Sequence, residues 1–140
     1  MDFSKYTNEI STLTLISSCG CNLKCSYCEI AKAVNEDAPR LQEETKAALE
    51  NGMFLENVKK VFEKLSINPN DIVSMDLWGQ EPTLTLEKFT AHLEDWLNYV
   101  PNLNKFFFST NGMAYPEKLV DLVVKMDSLI PKERKLEFLI

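Results

Sequence analysis

The chain has 140 residues, of which 45% are hydrophobic and 26% are charged, and its formal net charge at pH 7 is −6. This balance is typical of one ordinary folded domain, and it excludes a largely disordered chain. Nucleic acid is not an expected partner, because proteins that bind DNA or RNA usually carry a basic patch and this chain has no long basic run. No apolar run is long enough to cross a membrane, and no secretory signal begins at Met1. We therefore expect no membrane partner and a cytoplasmic, reducing environment.

The first half of the chain contains one predicted strand and two predicted helices. Residues 10–18 are rich in β-branched side chains and partly alternate, which predicts the first strand. A cysteine-rich loop follows it directly. Apolar residues at helical spacing then predict a helix over 41–49, which is interrupted at Asn51-Gly52, and a second helix over 55–66.

The second half of the chain alternates between short apolar runs and helical stripes. Thr85 is expected to cap the helix that follows the second strand, and Pro101 is expected to end that helix. Pro116 suits the first turn of the next helix. The further predicted strands are residues 72–78, 105–109 and 135–140.

This order of elements predicts an α/β fold with about four parallel strands and three to four helices. From the second strand onward the strands follow one another at about 30 residues, which is the size of a βαβ unit with a right-handed crossover. Ligands of parallel α/β sheets bind at the carboxyl ends of the strands. The loops after the first three strands should therefore meet at one edge and form a shared site.

The first of these loops contains all four cysteines of the protein, in the stretch Cys19-Gly-Cys-Asn-Leu-Lys-Cys-Ser-Tyr-Cys28. Cys21, Cys25 and Cys28 have the spacing C-x3-C-x2-C. Thiolates are soft ligands that select iron–sulfur clusters, zinc or copper(I). A 4Fe–4S cluster usually takes four cysteines, so three would leave one iron open to another molecule.

Other interpretations of the cysteines are open at this point. Adding Cys19 makes a four-thiolate zinc site conceivable, although structural zinc sites usually join two separated pairs. Cys25 and Cys28 alone form a C-x2-C spacing typical of redox pairs. Cys19 itself is expected to be a small buried residue rather than a ligand.

Three stretches of the chain resemble motifs of the radical S-adenosylmethionine enzymes. The segment Cys21-Asn-Leu-Lys-Cys-Ser-Tyr-Cys28 resembles the family's signature loop, including the aromatic residue before the last cysteine. Trp78-Gly-Gln-Glu-Pro-Thr-Leu84 resembles its Gly-Gly-Glu-Pro motif. Ser109-Thr-Asn-Gly112 resembles the segment that ends its third strand.

The resemblance implies a mechanism and its cofactors. Cys21, Cys25 and Cys28 would hold three irons of a 4Fe–4S cluster, and the amino and carboxylate groups of S-adenosylmethionine would chelate the fourth. One electron from the cluster would cleave the sulfonium and yield a 5′-deoxyadenosyl radical, which abstracts hydrogen from a substrate. The resemblance also implies a reductant such as flavodoxin or ferredoxin. The amino-acid sequences of these motifs are most similar to those of family members that modify peptides or proteins.

The same resemblance predicts further cofactor-binding residues in the loops after the first three strands. The backbone of Tyr27 would help to hold the adenine, and the turn 79–81 would approach the methionine ammonium group. The alternatives are packing for Tyr27, a plain strand-ending turn at 79–81 and a turn cap at 109–111. The predicted set is Tyr27, Gly79, Gln80, Glu81, Ser109 and Asn111.

Gln80 departs from the family's motif, which has a second glycine there. Glycine allows a positive φ and leaves room for an approaching ligand. A left-handed conformation would cost a glutamine about 1–2 kcal/mol. We therefore expect Gln80 to have a negative φ and to turn its side chain away from the cluster.

The resemblance also implies a TIM-like (β/α) barrel that is partial, with six units in the family. About 30 residues per unit place only four strands within 140 residues. We therefore expect residues 1–140 to be the N-terminal portion of a radical S-adenosylmethionine core domain. The alternative function is a non-catalytic interaction module that binds zinc or a cluster and derives from that fold.

Overall fold

The structure, a computed structural model, describes residues 10–23, 25–26, 28, 37–113 and 116–140. Four strands alternate with five α-helices in these ranges, and single turns of 3₁₀ helix lie at Pro69–Asp71 and Pro82–Leu84. In chain order the elements are β1 (Thr12–Ser18), α1 (Ala38–Glu50), α2 (Met53–Leu65), β2 (Ser74–Gly79), α3 (Leu86–Thr90), α4 (Leu93–Tyr99), β3 (Lys105–Phe108), α5 (Pro116–Leu129) and β4 (Glu137–Leu139).

The four strands form one parallel sheet in the order β1-β2-β3-β4. Each strand therefore pairs with the next strand in the sequence, and the chain segment that connects them contains at least one helix. This arrangement confirms the predicted α/β class and is consistent with part of a (β/α) barrel. Leu15 lies beside Leu77, which lies beside Phe108, so apolar residues align across three strands.

All five helices pack on one face of this sheet. Each contributes at least one side chain to a single buried cluster, which also contains the aligned strand residues. The ring of Phe89 on α3 lies 5.5 Å from that of Phe106 on β3. The cluster consists of Leu15, Leu49, Leu55, Phe62, Ile72, Met75, Leu77, Leu86, Phe89, Leu93, Trp96, Leu97, Val100, Leu103, Phe106, Phe108 and Met126.

The opposite face of the sheet, called the open face from here, carries the alternate residues of each strand. Two large apolar side chains there are exposed to solvent, Ile16 at 58% and Trp78 at 51%. They are register partners on β1 and β2. Two residues earlier on the same strands, Thr14 and Asp76 are also register partners. Phe107 on β3 lies beside Asp76. The open face thus leads up to the edge where the cysteine loop begins.

The helices between β2 and β3 differ from the prediction. The single predicted helix is two, α3 and α4, and the count of five exceeds the expected three to four. His92 is half-buried at the break, and its Nε2 lies 2.9 Å from the carbonyl oxygen of Glu50. The Thr85 hydroxyl donates to the Pro82 carbonyl at 3.0 Å and does not cap α3. None of the helices in the described ranges is both long and apolar enough to span a bilayer.

Arg134, between α5 and β4, holds the end of α4. Its guanidinium donates from Nη1 to the carbonyl of Leu97 at 2.8 Å, from Nη2 to that of Val100 at 2.6 Å and from Nε to that of Leu103 at 3.1 Å. Helix C-termini leave carbonyls without intrahelical partners, and a cation is favoured there. Burial lowers the pKa of Arg134. One side chain therefore joins three carbonyls to the segment that enters β4.

Candidate functional site

The loops after β1, β2 and β3 meet at the carboxyl edge of the sheet, as the parallel order predicted. The Gln80 amide donates to the carbonyl of Ser18 at 3.2 Å, and the Glu81 amide donates to that of Gly20 at 3.1 Å. The amide of Asn111, after β3, donates to the Glu81 carboxylate at 2.8 Å. Backbone hydrogen bonds thus hold the turn after β2 against the start of the cysteine loop, and the third loop is bonded to that turn.

Gly79 is required at the end of β2 for two reasons. Its φ is +136°, a conformation that side-chain-bearing residues rarely adopt. A Cβ built on Gly79 would also lie 2.1 Å from the Ser18 carbonyl oxygen. The turn therefore depends on glycine for both its conformation and its close approach to β1.

Gln80 does not share this requirement. Ser66 is the single non-glycine residue with a positive φ in the described part of the chain, so the expected ordinary φ of Gln80 is confirmed. The glycine-specific conformation of the turn belongs to Gly79, and a side chain at position 80 does not strain the backbone. That this side chain turns away from a cluster stays a prediction.

Glu81 is buried and its carboxylate is surrounded by donors of this chain. Its exposed fraction is 1%. One oxygen, Oε1, accepts from the Thr83 hydroxyl at 2.6 Å, the Thr83 amide at 3.2 Å and the Thr110 hydroxyl at 2.9 Å. The other, Oε2, accepts from the Asn111 amide. Four neutral donors from two loops thus hold the buried charge, in agreement with the alternative in which this residue closes the turn. Its predicted contact with an ammonium group stays a prediction.

Asn111 connects Glu81 to the cysteine loop. Its side-chain amide donates to Oδ1 of Asn22 at 2.8 Å and lies 3.6 Å from the sulfur of Cys21. Its own Oδ1 accepts from the Met113 amide at 3.0 Å, which closes a turn. Asn111 therefore caps a turn, as the alternative interpretation has it, and also contacts the cysteine loop. Its predicted contact with a cofactor stays a prediction.

Ser109 is not brought into the site in the same way. Its side chain is exposed and forms no hydrogen bond with the described residues. Thr110 bonds Glu81 instead, and its hydroxyl also accepts from the Gly112 amide at 3.1 Å. Within this segment Thr110 and Asn111 therefore hydrogen-bond the site, and Ser109 does not.

The four cysteines are present as thiols. Cys21 is exposed, and its sulfur accepts from the Leu23 amide at 3.4 Å. Cys25 and Cys28 are half-buried, and the Cys28 amide donates to the Cys25 carbonyl at 3.1 Å, as in a tight turn. No three Cys, His, Asp or Glu side chains among the described residues lie close enough together to hold a metal ion. Tyr27 lies outside the described residues.

Gln42 anchors the start of the cysteine loop from α1, a role that the sequence did not predict. Its Oε1 accepts from the Cys19 amide at 2.6 Å and lies 3.4 Å from the Ser18 hydroxyl. It is 7% exposed, and its Nε2 is buried without a hydrogen-bond partner. Its spacing from Thr45 and Leu49 would have placed it on the buried stripe of the helix. Cys19, half-buried, is held through its backbone.

The donor chemistry at this edge suits an iron–sulfur cluster. Three soft thiols lie in one loop, and the Leu23 amide and the Asn111 side chain are placed near the sulfur of Cys21. Hydrogen bonds to ligating sulfurs are among the features that set the potential of such clusters. The residues present therefore fit the group in ligand type, and the first of the three cysteines has hydrogen-bond donors beside its sulfur.

Comparisons with protein-family models, curated proteins and solved structures found no match to this chain. No activity can therefore be transferred to this chain from a similar protein. Its function has to be inferred from its own residues and their arrangement.

Proposed function

We propose that this chain is a radical S-adenosylmethionine enzyme. Cys21, Cys25 and Cys28 would hold a 4Fe–4S cluster, and S-adenosylmethionine would occupy its open iron. The observation that carries the proposal is the convergence of three motif-bearing loops at one edge, joined through Glu81 and Asn111. When bound, the two groups supply one-electron reductive cleavage of a sulfonium and hydrogen abstraction from a substrate.

The protein's own part is to hold and orient these groups. The Leu23 amide and the Asn111 side chain are placed to donate to the sulfur of Cys21, which would stabilise a thiolate there. The turn at Gly79 brings the backbone of residues 79–81 to within hydrogen-bonding distance of the cysteine loop. Cluster binding would draw the three sulfurs together, since metal sites commonly form together with the binding event.

The partners follow from this chemistry. The cluster needs a one-electron donor, for which flavodoxin or ferredoxin is the proposed source. The proposed substrate is a peptide or protein that approaches the edge of the sheet, and the proposed setting is the cytoplasm, where thiols stay reduced.

The test is anaerobic reconstitution with iron and sulfide, followed by iron and sulfide analysis and the visible absorbance of the cluster. Replacing Cys21, Cys25 or Cys28 by Ala should each abolish cluster binding, because each thiolate is one of three. Cys19→Ala is the matched control in the same loop and should retain the cluster. A full cluster absorbance in Cys25→Ala would contradict the assignment, and zinc in place of iron would favour the structural alternative.

A second candidate function is a cluster-binding module that does not cleave S-adenosylmethionine. The four donors that already occupy the Glu81 carboxylate favour it, because they leave this residue without need of a ligand. Chromatographic detection of 5′-deoxyadenosine after reduction by dithionite separates the two candidates. An intact cluster without this product would support the module.

A further inference from the structure

The open face of the sheet has a carboxylate near its centre. Asp76 lies on β2, with Thr14 of β1 and Phe107 of β3 as its register partners. Trp78 follows two residues later on the same strand and therefore on the same face. Asp76 stands three residues, or about 10 Å, before the end of the strand at Gly79. The carboxylate is thus close to the proposed cluster loop but separate from it.

The charge of Asp76 lacks a counter-ion within the chain as described. The side chain is half-buried, and burial raises the pKa of Asp76. Among the described residues it forms neither an ion pair nor a hydrogen bond. The other charged residues of this face, Lys105 on β3 and Glu137 on β4, are register partners of each other. A half-buried carboxylate without a partner is costly, and a bound cation would remove that cost.

The aromatic neighbours point to the same class of ligand. Phe107 is half-buried beside Asp76, and Trp78 is exposed by half of its surface. Aromatic faces attract ammonium and guanidinium groups, most strongly when the ring is a tryptophan. An anion would be repelled by Asp76, and a neutral apolar group would bury the carboxylate further without a partner. Charge complementarity therefore favours a cation.

The surroundings of Asp76 favour a peptide over a small amine. Ile16 and Trp78 lie side by side between Asp76 and the loop edge, and both are more than half exposed. Their apolar surface extends well beyond the reach of a single ammonium group. A lysine or arginine side chain has an apolar stem that can cover such surface while its head reaches a carboxylate.

We propose that the open face binds the substrate through a lysine or arginine side chain of a peptide, held between the Asp76 carboxylate and the rings of Trp78 and Phe107. The role of this peptide as substrate rests on the proposed function. The cation site itself rests on the arrangement of the sheet alone.

The intrinsic fluorescence of Trp78 reports binding without any cofactor, because the second tryptophan, Trp96, is 2% exposed. The probe is an acetylated and amidated Gly-Gly-Lys-Gly-Gly peptide, compared with the same peptide carrying norleucine, which lacks the charge. The lysine peptide should change the fluorescence in a saturable way and the norleucine peptide should not. Asp76→Asn should weaken binding at least tenfold. Glu137→Gln, which removes a carboxylate at the edge of the same face, should change it less than twofold.

Each outcome decides one part of the proposal. Equal binding of the two peptides, or of the lysine peptide to wild type and Asp76→Asn, overturns the cation site. Butylamine binding as tightly as the lysine peptide overturns the peptide assignment. Cluster absorbance and 5′-deoxyadenosine formation are measured on the same preparations. If the wild type binds the lysine peptide but forms neither the cluster nor 5′-deoxyadenosine, the enzyme proposal is overturned and the cation site stands. If it forms both but does not bind the peptide, the cation site alone is overturned.

Discussion

Replacing Glu81 by Gln tests whether this residue is the hub that joins two loops. The substitution keeps the size of the side chain and turns one carboxylate oxygen into an NH₂ group. Oε1 receives three donors and Oε2 receives one, so the amide oxygen should take the Oε1 position. The new NH₂ group would then face the Asn111 amide, and two donors would oppose each other.

The magnitude follows from these four bonds. One hydrogen bond to a charged group is lost, at about 1.5–3 kcal/mol, and three become neutral bonds of about 0.5–1.5 kcal/mol each. The neutral amide is cheaper to bury than the carboxylate, which offsets part of this loss. We expect a net decrease of about 2 kcal/mol in the free energy of unfolding. For a chain of this length that corresponds to a fall in Tm of about 6–8 °C.

The measurement is urea and thermal unfolding of Glu81→Gln, Thr110→Val and the double variant. The Thr110 hydroxyl donates to Glu81 at 2.9 Å, so the cycle should show a coupling energy of about 1 kcal/mol. Thr12→Val, at an exposed position of β1, is the control and should change stability by less than about 0.5 kcal/mol. A Glu81→Gln protein as stable as wild type, with no coupling to Thr110, would refute the hub.

Four further substitutions test other parts of the molecule. Gly79→Ala should destabilise the fold by about 3 kcal/mol or more, because its Cβ would lie 2.1 Å from the Ser18 oxygen at a φ of +136°. Gln80→Gly should change S-adenosylmethionine affinity less than tenfold, about 1.4 kcal/mol; a cofactor titration that shows strong binding only in this variant would contradict the enzyme proposal. Arg134→Lys should lower the unfolding free energy by about 2–3 kcal/mol in urea titrations, since an ammonium cannot reach three carbonyls in the same geometry. Asp76→Asn should be more stable than wild type at neutral pH: burial raises the pKa of Asp76 above its ordinary value of 3.8, so wild type loses stability as pH rises through the folded-state pKa. Urea midpoints of the two proteins should converge below pH 3.8 and separate above it, and a constant difference would refute the burial argument.

The sheet was predictable because its signals are local. Runs such as Lys105–Phe108 are short, apolar and followed by turn residues, which favours a strand over a helix, and their spacing implies parallel neighbours. The break between α3 and α4 was not predictable, because Phe89, Leu93, Trp96 and Leu97 also fit one continuous helix. The hydrogen bond of His92 to Glu50, 42 residues away, is a contact that no local pattern reveals.

The candidate site was predictable in place and less so in detail. Parallel strands bring their carboxyl ends to one edge, which is why Gly79, Glu81 and Asn111 lie together. A charged residue directly after an apolar strand can be recognised in a sequence, but the groups that donate hydrogen bonds to it cannot. In the structure these donors belong to Thr83, Thr110 and the backbone amide of Asn111, and no spacing rule selects them. Gln42 was missed because a glutamine within a polar stretch of helix is usually exposed.

Arg134 has a consequence for how the carboxyl-terminal part of the sheet opens. β4 has three residues and pairs with β3 at the edge of the sheet, so by length alone it would fray like a loose end. The guanidinium just before it is fixed to carbonyls at Leu97, Val100 and Leu103. Detaching the strand therefore also exposes the end of α4 to water. The two segments should open together as one cooperative unit, with similar protection of their amide protons against exchange.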